Sequence, residues 1–303
     1  MSAPRRDGTA RDARLAVGVV GTGRVGAVLG AALALAGHTV VAASGLSRAS
    51  EQRAARLLPD VPLLPVPEVV AAADMVLLAV PDDALADLVA GLATTSGWRA
   101  GQIACHTSGG HGLAVLEPAT RRGVLPLALH PVMTFTGRPE DLDRLDGTSF
   151  GATAPEPLRP VAEALVLEMG GEPVWVPEEA RPLYHAALVT GANHLVTLVN
   201  ESVDLLRGAG VDNPTRVLAP LLEAALDNAL RLGDAALTGP VSRGDAGTVA
   251  GHLATLTAHA PDAVPAYVAM ARRTADRALA SGRLDPQRAE ALLDVLASRE
   301  AAP

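Results

Sequence analysis

The 303-residue sequence predicts a doubly wound, mostly parallel α/β sheet followed by an all-α region, and three observations carry that prediction. Short apolar runs alternate with alanine-rich helical stretches as far as Val176. A G-x-G-x-x-G segment separates the first run from the first helical stretch. Beyond Pro177 the strand-like runs stop, and long helical patterns follow that open on Pro and close on Gly.

Residues 15–20, 38–43, 75–80, 103–106, 125–130 and 149–152 read as strands. Several are apolar without alternation, as expected of strands covered on both faces and therefore mostly parallel. A helix over 27–36 follows the first strand, and one over 157–169 precedes a short strand at 172–176. The segment 61–67 is too rich in proline to assign. In the helical region, 182–207 forms one helix ending at Gly208 and Gly210. Asp212 or Asn213 caps the next, with Pro214 in its first turn and Gly233 beyond its end. Asp245 suits the N-cap of 246–258, Pro261 breaks the chain, and Asp285-Pro286 opens the last helix. The expected organisation is a disordered tail at 1–14, an α/β domain at 15–178 and a helical domain at 179–303.

Composition excludes several classes. The 25 basic residues are all arginine, so Schiff-base lysines, P-loop lysines and lysine acids or bases are absent. A net charge of -8 with no basic block argues against nucleic-acid binding. A lone Cys105 excludes an internal disulfide or thiolate cluster, no His/Asp/Glu grouping has metal-ligand spacing, and no apolar run is long enough to span a bilayer. The N-terminus does not read as a secretory signal, and a cytoplasmic location is expected.

Gly21-Thr22-Gly23-Arg24-Val25-Gly26 sits directly between a strand and a helix. There the first glycine permits a tight turn, the second lets a pyrophosphate approach the backbone, and the third allows close packing of helix on strand. This is a Rossmann-type dinucleotide signature. At the end of the second strand, where a carboxylate would bind an NAD ribose, the sequence has Ala42-Ala43-Ser44 and then Ser47-Arg48. Ser44, Ser47 and Arg48 suit a 2′-phosphate, so NADP is the expected cofactor. Arg48 solvating or capping the next helix is the competing reading. Val80, Pro81 and Asp82 end the third strand and are expected beside the nicotinamide ribose; Asp82 equally suits a helix N-cap.

Two further strand ends bear polar residues, His106-Thr107-Ser108 and His130. Histidine is suited to protonate a forming alkoxide near neutral pH, while Thr107 and Ser108 suit substrate binding. For both histidines the alternative is a structural hydrogen bond. Cys105 reads as a small buried residue. Within 182–207, His185, Val189, Asn193, Thr197 and Asn200 form a stripe at helical spacing; His185 and Asn193 are assigned to function and Asn200 to helix packing. The glycine-rich segment 238–248, with Arg243 and Asp245, suits a substrate carboxylate or a simple capped turn.

With these residues assembled, the chain resembles a bacterial family of Rossmann-like proteins with a C-terminal helical domain of unknown function. The resemblance rests on Gly21 to Gly26, Val80-Pro81-Asp82-Asp83, His106-Thr107-Ser108-Gly109, Leu129-His130-Pro131, Tyr184-His185-Ala186-Ala187 with Asn193, and Thr238-Gly239-Pro240 through Arg243-Gly244-Asp245 to His252-Leu253. It implies a branch of the 6-phosphogluconate dehydrogenase-like superfamily, near pyrroline-5-carboxylate reductase and 3-hydroxyisobutyrate dehydrogenase, with some members acting as ketopantoate reductases in pantothenate biosynthesis. That superfamily often carries a Lys-x-x-x-Asn pair on its first long helix. If Asn193 takes the asparagine position, Val189 falls where the lysine would be, which shifts the proton donor to His130 or His185. The resulting expectation is an NADPH-dependent oxidoreductase acting on a small carboxylated carbonyl substrate, ketopantoate first, and forming a homodimer through its helical domain. An imine reductase resembling pyrroline-5-carboxylate reductase and a non-catalytic NADP(H) sensor are the alternatives.

Overall fold

The computed structural model describes residues 14–95 and 97–297, so the expected tail at 1–14 lies, but for Arg14, outside the described residues. The chain divides into two compact units, Met1–Gly191 and Ala192–Pro303.

In the first unit the elements follow in order β1 (Ala16–Val20), α1 (Arg24–Leu35), β2 (Thr39–Ser44), α2 (Arg48–Leu57), α3 (Val66–Ala72), β3 (Met75–Leu78), α4 (Asp82–Thr94), β4 (Ile103–His106), α5 (Glu117–Thr120), β5 (Leu125–Pro131), α6 (Glu140–Asp143), β6 (Ser149–Thr153), α7 (Arg159–Glu168) and β7 (Glu172–Trp175). The seven strands form one sheet in the order β2-β1-β3-β4-β5-β6-β7. All neighbours are parallel except β5 and β6, which pair antiparallel with His130 opposite Gly151.

Side-chain alternation explains the unbroken apolar strands. Met75 and Leu77 pack on one face with α1, α2 and α7, whereas Val76 and Leu78 pack on the other with α3 and α4. Burial on both faces leaves no solvent side to carry polar residues. The proline-rich segment left unassigned resolves into an isolated bridge between Ala43 and Leu63, then α3 with Pro65 as N-cap. Proline is tolerated there because a first helical turn has no intrahelical use for its N–H. α1 begins three residues earlier than expected, at Arg24, because Gly23 is its N-cap.

The long helix α8 (Arg181–Gly208) runs from the first unit into the second, which continues with α9 (Pro214–Leu232), α10 (Gly239–Arg243), α11 (Ala246–His259), α12 (Val264–Ala280) and α13 (Pro286–Ala297). Asn213 precedes Pro214 as N-cap, and Asp245 caps α11 through Thr248 N–H. The segment expected as a glycine-rich turn is in part the short helix α10, closed by Gly244 in the left-handed conformation. Val249, Leu253, Val268, Ala275 and Leu292 of α11 to α13 form the core of this unit. α9 is different: of its 19 residues only Pro214 is buried, and Leu221 and Leu230 are 64% and 79% exposed.

Candidate active site

The glycine segment closes the carboxyl end of β1 as its spacing requires. Gly21 has φ +95°, and its N–H and that of Thr22 both donate to Ser44 O, at 3.1 and 2.9 Å. A Cβ on Gly26 would collide with Gly21 O and Ala79, so α1 lies directly against the turn. Gly23 has no atom within 4 Å of the position its Cβ would take, which leaves room for a phosphate at the start of α1. Thr22 Oγ1 is buried without a hydrogen-bond partner, the sole such side-chain atom among the described residues. Exposed Arg24 and Arg48 open α1 and α2, and Arg53 donates to Thr22 O at 3.3 Å. Ser47 caps α2 through Ser50 N–H, and the Ser44 hydroxyl lies 3.4 Å from Gly21 N. Tight turn, open approach and three arginines fit a dinucleotide phosphate group.

Further along the same strand ends, β3, β4 and β5 bring Asp82, His106 and His130 to one edge. Pro81 is the N-cap of α4 and Asp82 its first residue, without a capping bond, so the N-cap alternative for Asp82 is not realised. His106 is fully buried. Its Nδ1 accepts the Ser108 N–H at 3.2 Å, which places the ring proton on Nε2, donated to Gly112 O at 2.9 Å. Both nitrogens thus hold the 106–112 loop, and burial lowers the imidazole from 6.5 to about 4. Ser108 is buried and accepts the His111 N–H; Thr107 follows the strand, its N–H on Leu78 O.

His130 is half-buried, and its Nδ1 lies 2.8 Å from the Tyr184 hydroxyl. Burial, then the charges of His185 and Arg181, lower it to about 4. His185 stacks edge-on at 5.9 Å between ring centroids. Two glycines make the cluster possible. A Cβ on Gly109 would stand 2.7 Å from His185 and 3.0 Å from His130 Nε2, and one on Gly151 would collide with the Tyr184 hydroxyl.

Arg181, at the start of α8, is fully buried and holds this cluster in place. It donates to Thr153 Oγ1 at 2.9 Å, Ser108 O at 3.0 Å, Ala128 O at 2.9 Å and Gly151 O at 2.8 Å. No carboxylate among the described residues reaches ion-pair distance of it. Its guanidinium carbon also lies 6.0 Å from the Tyr184 ring centroid.

Asn193, Arg243 and Asp245 belong to the second unit. Asn193 is exposed, Arg243 ends α10 exposed, and Asp245 is engaged in its cap, accepting Thr248 N–H at 3.0 Å and Thr248 O–H at 2.7 Å. Thr197 and Asn200 line a groove of about 1030 Å³ between α8 and α11. Tyr184, Arg181, Arg53 and Gly151 received no role from the sequence. One signal was available for Tyr184, its place in the Tyr184-His185-Ala186-Ala187 segment of the resemblance; in the structure both tyrosine hydroxyls meet a histidine, Tyr267 pairing with His252 at 2.9 Å. Among the described residues no group of side chains could hold a metal ion, and no helix is long and apolar enough to cross a membrane.

Comparison with known proteins places this geometry in context. Residues 1–131 match the model of a Rossmann-like domain, and residues 148–274 match that of a domain of unknown function, DUF2520. No curated protein matches the sequence. Among solved structures, a candidate NADP oxidoreductase from Bacteroides fragilis aligns with TM-score 0.73 at 21% identity, covering 87% of this chain and 98% of that one. A reductive aminase from Aspergillus terreus, in complex with NADPH and ethyl levulinate, aligns at 0.62 and 18% identity over 93% and 99%. A 1-pyrroline-5-carboxylate reductase from Streptococcus pyogenes aligns at 0.57 and 15% over 88% and 98%. At these identities the likeness establishes the fold.

Proposed function

We propose that this chain, a Rossmann-like domain followed by a DUF2520 domain, is an NADPH-dependent oxidoreductase that reduces the polarised C=O or C=N bond of a small carboxylated molecule. The observation that carries the proposal is the glycine segment: space at Gly23, Thr22 Oγ1 without a partner, Arg24 within it and Arg53 on Thr22 O, with Arg48 opening the helix after β2. Gly21, Thr22, Gly23, Arg24, Val25 and Gly26 would hold the pyrophosphate, with Ser44, Ser47 and Arg48 toward the 2′-phosphate and Val80, Pro81 and Asp82 toward the nicotinamide ribose. The solved structures that share the fold include proteins crystallised with NADPH. When bound, the nicotinamide supplies a hydride. The protein's part is to bind and orient the substrate and to move a proton; His130 at the end of β5 and His185 on α8 beside it are assigned to the proton, and Asn193 and Arg243 to orienting the substrate and its carboxylate.

Ketopantoate is the first substrate to test. The imine reading has a specific observation in its favour: His106 and His130 both sit at about 4, so neither is a cationic acid at neutral pH, whereas a protonated imine brings its own proton. The assay is NADPH oxidation against a panel of 2-keto acids, including ketopantoate, and cyclic imino acids, including pyrroline-5-carboxylate. Turnover of either class is expected. NADPH binding without oxidation anywhere on the panel would leave a redox-state sensor instead.

The unburied apolar residues of α9, Val217, Leu221, Leu226 and Leu230, support a homodimer formed through the helical domain, because a 19-residue helix with one buried residue lacks the packing that stabilises helices in water.

A further inference from the structure

We propose that Tyr184 is the catalytic acid that protonates the product of carbonyl reduction, and that His130 is the positioning residue that relays a proton to it. The inference rests on the oxidoreductase reading above and assigns its missing donor. The chain has no lysine. His106 has both ring nitrogens bound to backbone, and burial pushes the Cys105 thiol up to about 12. The Tyr184 hydroxyl is set apart by its contact with His130: it is half-buried on the first turn of α8 and rests over Gly151, where any side chain would displace it. Its oxygen lies 2.8 Å from His130 Nδ1, with the two rings edge to face.

A tyrosine bound to a histidine in this way does not require a cationic imidazole. In the resting site the His130 proton is on Nδ1 and is donated to the Tyr184 oxygen, which leaves the phenolic proton free for substrate. As hydride from NADPH reaches the carbonyl carbon, the carbonyl oxygen takes the phenolic proton. The Tyr184 oxygen takes the Nδ1 proton, and Nε2 takes one from water. The net change is one hydride from NADPH and one solvent proton added to the C=O bond, with Tyr184 neutral at the end and His130 in its other neutral tautomer. Burial holds the Tyr184 hydroxyl above its usual range, and the Arg181 guanidinium facing the ring opposes this by stabilising negative charge that develops on its oxygen. The other titratable groups around the pair are Asp82 on α4 and Arg181 and His185 on α8.

Nitrogen-15 NMR of the cofactor-free protein reads the resting tautomer directly: the proton is expected on Nδ1 of His130, with a resonance that moves in Tyr184→Phe. The variant removes one oxygen atom only. It should bind NADPH with an unchanged dissociation constant, lose carbonyl turnover by about 100-fold or more, and reduce a preformed iminium nearly as well as wild type, since that substrate needs no donor. His130→Asn should show the same carbonyl-selective loss and replace a multi-proton solvent isotope inventory with a one-proton one. A His130 proton found only on Nε2, or carbonyl turnover in Tyr184→Phe close to wild type, would overturn the relay while leaving the oxidoreductase reading intact. A wild-type protein that binds NADPH and reduces neither class overturns both.

Discussion

The two units of this chain are completed in different ways. The first buries both faces of its sheet across β1 to β6, with edge strand β7 mostly exposed, and carries its candidate site at the strand ends. In the second, α11 to α13 form a small core while α9 leaves nearly all its apolar residues exposed. A unit of the first kind can hold a fixed site by itself. On the proposed dimer, a unit of the second kind is completed by association, and its surface is where substitutions should change assembly and leave the strand-end site intact.

The largest effect that would sharpen this contrast is expected from Gly26→Ala. The new methyl would collide with Gly21 O and Ala79, destabilising the first unit by about 3 kcal/mol and abolishing NADPH binding. Retained binding, measured by cofactor fluorescence, would show that the turn relaxes. Next, Leu221→Asp with Leu230→Asp should convert a dimer to monomer in light scattering without loss of helical circular dichroism, and a monomeric wild type would break the contrast.

Acid should act on the first unit. His106 and His130 titrate at about 4 when folded and near 6.5 when unfolded, so the unfolded chain binds more protons between those values. Stability present above pH 6.5 is therefore lost as pH falls toward 4, by about 3 kcal/mol for fully buried His106. Denaturant melts at pH 7 and pH 4.5 should show it, and His106→Asn should flatten the dependence. The smallest effect is Arg48→Ala, expected to raise KM for NADPH about 10-fold while leaving that for NADH unchanged; equal effects on both would remove Arg48 from the 2′-phosphate site.

The fold was largely readable because each feature depends on neighbours in sequence. Unbroken apolar runs marked strands covered on both faces, proline and glycine marked helix ends, and the spacing of Gly21, Gly23 and Gly26 marked the turn. The proline-rich stretch before β3 hid α3, because proline at a helix start and proline in a loop look alike. The site was less readable. His130 meets Tyr184 across 54 residues, and Gly151 matters only because β6 runs antiparallel beside β5. Nothing local in the sequence signals such a juxtaposition, so Tyr184 and Arg181 passed unassigned while His106, equally prominent, proves tied up with its own loop.

The single guanidinium of Arg181 ties the first turn of α8 to β5, β6 and the loop after β4. Its removal would take a charged donor from three carbonyls at once, so opening any one of those segments disturbs the others. Their amide protons should therefore exchange with deuterium together, as one cooperative block and at the rate of the deepest opening of the first unit, while α9 exchanges far sooner. For a catalytic pair assembled from segments 54 residues apart, that shared rate means the hydrogen bond between them lasts as long as the surrounding fold.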